Sequence, residues 1–143
     1  MLGLMSKIYL VSDSKAVLDE VTSALEFVTP DIASFANAES LVATCQKMAP
    51  DLVVLDMQIG NMGGMAICMH LHLEESGGRL PHIPVLMLID RRADVFLARR
   101  SRSEGFLVKP LNSIRIANAA KTILSGKPYE DDSYRPVTVE FAT

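Results

Sequence analysis

The sequence predicts an α/β fold in which five parallel strands, ordered 2-1-3-4-5, are wound on both faces by helices. Three observations carry this expectation. Short apolar runs alternate with longer segments whose apolar residues recur at helical spacing. The runs are nearly uninterrupted, which implies strands buried on both faces rather than one. Charged residues stand where three of those runs stop: Asp13, Asp56 and Lys109.

In chain order, residues 7–11 read as a buried strand, and residues 14–26 as a helix with Val17, Leu18, Val21 and Leu25 on one face. Ser12, Asp13 and Ser14 are all suitable N-caps for it. Residues 31–35 form a short second strand. Asn37 caps a helix whose apolar face is Leu41, Val42, Cys45 and Met48, and Pro50 stops it. Residues 52–55 are the most continuous apolar strand. A third helix covers 65–74 and ends at Ser76-Gly77-Gly78. Pro84 opens a strand over 85–89, an arginine-rich helix covers 93–101, and residues 106–108 are the fifth strand. Asn112 caps a final helix through Ile114, Ala117, Ile123 and Leu124 to Gly126. This gives one domain over residues 1–126 and a tail over 127–143. The tail is expected to be flexible, with Val137-Thr138-Val139-Glu140-Phe141 as a candidate added strand.

The 143 residues suffice for one domain with a real core. The 49% hydrophobic and 22% charged content is globular, and a net charge of −3 does not point to nucleic acid or an anionic membrane as partner. No apolar run approaches the roughly 20 residues of a membrane span. The start, Met1-Leu2-Gly3-Leu4-Met5, lacks a signal-peptide pattern. Cys45 and Cys68 lie in apolar helical patterns without metal spacing, and read as buried free thiols. A cytoplasmic location is the resulting expectation.

A carboxylate at the end of a buried strand is costly unless it does chemistry there. In doubly wound sheets ligands bind beyond the carboxyl ends of the strands, at the switch point. The order 2-1-3-4-5 sets strands one and three side by side, so Asp13 and Asp56 meet in one crevice.

The motifs Asp51-Leu52-Val53-Val54-Leu55-Asp56, Gly64 eight residues after Asp56, Pro84-Val85-Leu86-Met87-Leu88 and Val108-Lys109-Pro110 together resemble a response-regulator receiver domain. That is the flavodoxin-like phospho-acceptor module of two-component signalling, and the resemblance covers roughly residues 6–126. It implies Asp56 as phospho-acceptor, Asp13 and Asp56 as Mg2+ ligands, Lys109 as the cation at the phosphoryl group, and a Lys109-Pro110 peptide that is often cis. It implies autocatalytic acceptance and loss of phosphate rather than enzymatic turnover. The chemistry agrees: an aspartate can form an acyl phosphate, and phosphoryl transfer depends on positioning and charge.

Departures from the family pattern surround this core. Ser12 stands where a second acidic residue is usual, so the Mg2+ site should be weak. Ile89 stands at the switch position that normally carries a hydroxyl. Asp90 follows, where a small residue is usual. It is expected to pair with Arg91 or Arg92 or to cap the fourth helix, the alternative being to replace the charge lost at Ser12 by reaching the metal. The segment between Ile89 and Gly105 is about two residues short of the common pattern, and Gly60 replaces a usual proline. Gln58 is a further pocket modifier, and Phe106 the remaining switch position.

Two readings therefore stay open: a phospho-acceptor with an altered relay, and a phosphorylation-independent receiver used as a protein-binding module. The resemblance implies a sensor histidine kinase or phosphotransfer protein as donor. Arg91, Arg92, Arg99, Arg100 and Arg102 cluster around the fourth helix. They read as a solvated face or, with the fifth strand and helix, as a surface for an acidic downstream partner or a homodimer. The tail's acidic cluster is a candidate to fold against them. No helix-turn-helix pattern follows residue 126, so no DNA-binding effector is expected. His70, His72 and His82 are assigned no role.

Overall fold

The structure is a computed structural model and describes residues 6–58 and 63–131. The elements run β1 (Lys7–Val11), α1 (Lys15–Leu25), β2 (Asp31–Phe35), α2 (Ala38–Lys47), β3 (Leu52–Asp56), α3 (Gly63–Ser76), β4 (Val85–Ile89), a 3-10 turn (Arg92–Asp94), α4 (Val95–Arg100), β5 (Gly105–Val108), α5 (Ser113–Leu124) and β6 (Tyr129–Glu130). All strand pairings are parallel, in the order β2-β1-β3-β4-β5-β6. The first five strands follow the expected order. The sixth corrects the five-strand expectation.

β3 and β4 are buried at every residue, and alternate side chains of the sheet feed two cores. Tyr9, Val11, Val53, Leu55, Met87 and Phe106 pack with Leu41, Ile67 and Val95 of α2, α3 and α4. Ile8, Leu10, Val54, Leu86 and Leu107 pack with Leu25 of α1 and Ile116 of α5. Period-two side-chain alternation thus explains why uninterrupted apolar runs were needed. Of the three candidate N-caps before α1, Ser14 takes the role, accepting from Val17 N; Asn37 and Asn112 cap α2 and α5 as expected.

The arginine-rich segment departs from one continuous helix. It begins as a 3-10 turn in which Asp94 is buried and takes an ion pair from Arg91 at 3.2 Å. β6 lies at 129–130, inside the segment expected to be flexible; the candidate strand at 137–141 falls outside the described residues. Gly105 is what admits β6, since a Cβ there would collide with the Tyr129 carbonyl. Asp131 follows as a buried residue, accepting from Val108 N at 2.8 Å and ion-pairing with Arg115. Among the described residues no helix is long and apolar enough to cross a membrane.

Candidate functional site

The parallel register builds the site. Val11 pairs with Leu55, so the next residues outward, Ser12 and Asp56, lie side by side. Ser12 Oγ donates to Asp56 Oδ2 at 2.8 Å and accepts from Ser14 N at 3.0 Å. Ile89 pairs with Val108, which sets Asp90 beside Lys109 in the same way. Lys109 Nζ donates to Asp56 Oδ1 at 2.9 Å and to Asp90 Oδ1 at 2.9 Å. Four points of the chain, residues 12–13, 56–58, 90 and 109, thus lie at the carboxyl ends of β1, β3, β4 and β5.

Asp56 is only 2% exposed. Its charge is met by Lys109, the Ser12 hydroxyl and the Gln58 N–H at 3.3 Å. These contacts offset the cost of burying a carboxylate. Burial works against the Lys109 ammonium, but hydrogen bonds and attraction from Asp56 and Asp90 outweigh it and hold its pKa above the ordinary lysine value. The lysine therefore stays charged. The Lys109-Pro110 peptide is cis. Gly64 closes the floor: a Cβ there would lie 2.9 Å from Met57 Cα, so α3 approaches the end of β3 only because that residue has no side chain.

Asp13 sits on the exposed rim, two residues beyond β1. Gln58 is exposed, and its backbone rather than its side chain reaches Asp56. Ile89 and Phe106 are both buried, at 0% and 2%. Neither carries a polar atom toward the pocket, and the Arg99 guanidinium lies over the Phe106 ring at 5.9 Å. Gly60 lies outside the described residues.

Asp90 departs from its expected local pairing. Arg91 pairs with Asp94 instead, and Asp90 turns inward to Lys109. Asp90 Oδ2 is buried and has no hydrogen-bond partner among the described residues. Asp56, the Ser12 hydroxyl beside it and, across Lys109, Asp90 with its unpartnered oxygen are the oxygen donors that a hard cation takes, and in kind the residues fit Mg2+. The cleft above Lys109 is lined by Asp90, Arg91, Arg92, Pro110 and Arg115. Its arginine rim was not anticipated, because in the sequence Arg91 and Arg92 are indistinguishable from other surface charges of that segment. Arg115 was missed for a similar reason: it reads as a helix-surface residue, yet its guanidinium donates to Val108 O at 3.3 Å and to Pro110 O at 3.1 Å.

Residues 8–121 match the family model described as response regulator receiver domain. The DNA-binding dual master transcriptional regulator RpaA of Synechocystis sp. is 28% identical over 110 residues, covering 76% of this chain and 44% of that protein. The chain spans about half the length of the curated relatives it matches. A two-component response regulator of the LuxR family from Aurantimonas sp. superposes with a TM-score of 0.77 at 20% identity, covering 90% of this chain and 91% of that one. The signal receiver domain of a signal transduction histidine kinase from Syntrophus aciditrophicus gives 0.73 at 24% identity, with coverage of 96% and 99%. With its sheet order, buried strand-end aspartate and matched span, this chain belongs to the response regulator receiver domain family.

Proposed function

We propose that the domain accepts a phosphoryl group on Asp56 from a sensor histidine kinase or phosphotransfer protein, and passes the change to a protein partner. One observation supports this above the rest: Asp56, 2% exposed at the end of β3, is held between Lys109 and the Ser12 hydroxyl. A carboxylate oxygen so oriented attacks phosphorus, forming the mixed anhydride as the bond to the donor's imidazole nitrogen breaks. The departing imidazole keeps the bonding electrons. Lys109 then turns from its carboxylate partners to the new phosphoryl oxygens, as a mobile point charge can.

Asp13 and Asp56 would hold Mg2+, with Asp90 Oδ2 and the Ser12 hydroxyl as further oxygen donors. When bound, the ion supplies charge neutralisation at the transferring group. Arg91, Arg92 and Arg115, which line the cleft beside Lys109, would draw an anionic donor toward Asp56.

A second reading is favoured by a specific pair of facts. Asp90 already occupies Lys109 with a negative charge, and Ile89 offers no hydroxyl to follow a phosphate. On this reading the α4-β5-α5 face binds an acidic partner, or a second copy as a homodimer, without phosphorylation.

Intact-mass measurement after incubation with acetyl phosphate and Mg2+, with Asp56→Asn as control, decides between them. A Mg2+-dependent gain of one phosphoryl group that the variant lacks supports the acceptor reading. A folded chain that stays unmodified, also with histidine kinases as donors, supports the binding module.

A further inference from the structure

His72, Glu75 and His82 bring ligand atoms within 4.8 Å of one another, far from Asp56. His72 and Glu75 lie in the last turns of α3, three residues apart and so on one face. His82 comes from the loop before β4. Glu75 Oε1 is 2.9 Å from His82 Nδ1 and 3.8 Å from His72 Nδ1. Tetrahedral zinc with ligand bonds near 2.0–2.1 Å needs donor separations of about 3.3 Å. The two distances bracket that value.

The far side of each imidazole is held as well. His82 Nε2 lies 2.8 Å from Glu104 Oε2, while Glu104 Oε1 accepts from Val85 N at 2.8 Å. His72 Nε2 lies 3.6 Å from Cys68 Sγ. The Cys68 thiol is buried and donates to Ser101 O at 3.5 Å. With a cation in place, each neutral ring would carry its proton on Nε2 and turn its Nδ1 lone pair to the ion beside the Glu75 carboxylate. A carboxylate that orients a ligating histidine from behind is the recurrent outer support of metal sites. The two rings are nearly parallel, 23° apart with centroids at 6.3 Å. The cation would also stand at the negative end of the α3 dipole.

His82 and Glu104 precede the amino ends of β4 and β5, whereas Asp56 closes the carboxyl end of β3. Five strand residues, roughly 15 Å, separate the two ends of the sheet. The donor sets also differ. The Asp56 pocket offers only oxygen beside its lysine, and this one offers two imidazole nitrogens, which suits a borderline metal rather than Mg2+.

We propose that His72, Glu75 and His82 form a binding site for a zinc-class divalent cation, with Glu104 and Cys68 positioning the two imidazoles. Three protein ligands leave one position for water. The ion would pin the end of α3 to the loop entering β4 and, through Glu104, to the start of β5.

The test is competition between the full chain and a chromophoric chelator for Zn2+, in millimolar Mg2+ to saturate any oxygen-only site. One equivalent should bind saturably. His82→Gln should weaken binding by at least about tenfold, and Glu104→Gln by about 10–100-fold. His70→Gln should leave it unchanged, since His70 contacts Glu74 rather than the cluster. His82 is a half-exposed loop residue, so its variant should fold; a far-ultraviolet spectrum checks this. Cobalt substitution should add visible d–d bands that His82→Gln abolishes. The absence of a saturable site, or an affinity that His82→Gln does not change, overturns the proposal.

Discussion

Asp90 Oδ1 and Lys109 Nζ stand 2.9 Å apart, the distance that also separates Lys109 from Asp56. One ammonium therefore serves two carboxylates from different strand ends. Asp90 keeps its second oxygen buried and without a hydrogen-bond partner among the described residues. If that oxygen supplies the charge missing at Ser12, Asp90→Asn should weaken Mg2+ binding by about tenfold, the equivalent of roughly 1.4 kcal/mol. Titration calorimetry reads this directly. An unchanged affinity would make Asp90 a partner of Lys109 only.

Ser12 is fully buried against Asp56. Ser12→Asp should set two carboxylates in contact, lowering the melting temperature in EDTA, and should tighten Mg2+ binding once the ion is supplied. Ser12→Ala should lower stability by about 1 kcal/mol through the lost hydrogen bond. Melting of both variants with and without Mg2+ separates repulsion from lost bonding. A Ser12→Asp chain whose melting responds to Mg2+ no more than the parent would exclude a metal at this point.

Removing one member of a buried ion pair leaves the other charge without compensation. Asp131, buried at 3%, engages Arg115 and the Val108 N–H together. Asp131→Ala should cost about 2–4 kcal/mol, and amide exchange at Val108 should accelerate. Unaltered protection at Val108 would show that β5 does not depend on the segment beside it.

His82 sits between two carboxylates. The hydrogen bond it donates to Glu75 raises its pKa above the ordinary 6.5, burial opposes this, and Glu104 adds to the rise. A raised folded-state value means that the stabilisation is complete below about pH 6.5 and is lost as pH climbs through the folded value. In EDTA, the melting temperature should fall across this window, and His82→Gln should flatten that part of the profile. A profile identical in the two chains would refute the assignment.

The strands were legible because burial on both faces forces continuous apolar runs, as in Leu52–Asp56. The strand-end positions of Asp56 and Lys109 were legible too, since each stands where an apolar run stops. Asp90 was misjudged because sequence proximity favours Arg91. The contact with Lys109 depends on the register of Ile89 against Val108, nineteen residues apart, which no local pattern encodes. β6 was missed for the same reason. Tyr129 and Glu130 form no apolar run, and their pairing rests on Gly105 lacking a side chain and on Asp131 reaching Val108. The His72–Glu75–His82 cluster mixes a helical spacing with a loop residue, so pairwise spacing of histidines alone passed over it.

Glu130 takes Arg99 at 2.7 Å, and β6 lies along the outer edge of β5. The α4-β5-α5 face is thus already engaged by a short acidic stretch of its own chain. An external acidic ligand arriving there faces a tethered rival whose effective concentration is in the millimolar range. Its apparent affinity is reduced by the fraction of time that the rival is docked. If this face takes the acidic ligand proposed above, its selectivity would be set by displacement: such a ligand succeeds by outcompeting Glu130 for Arg99.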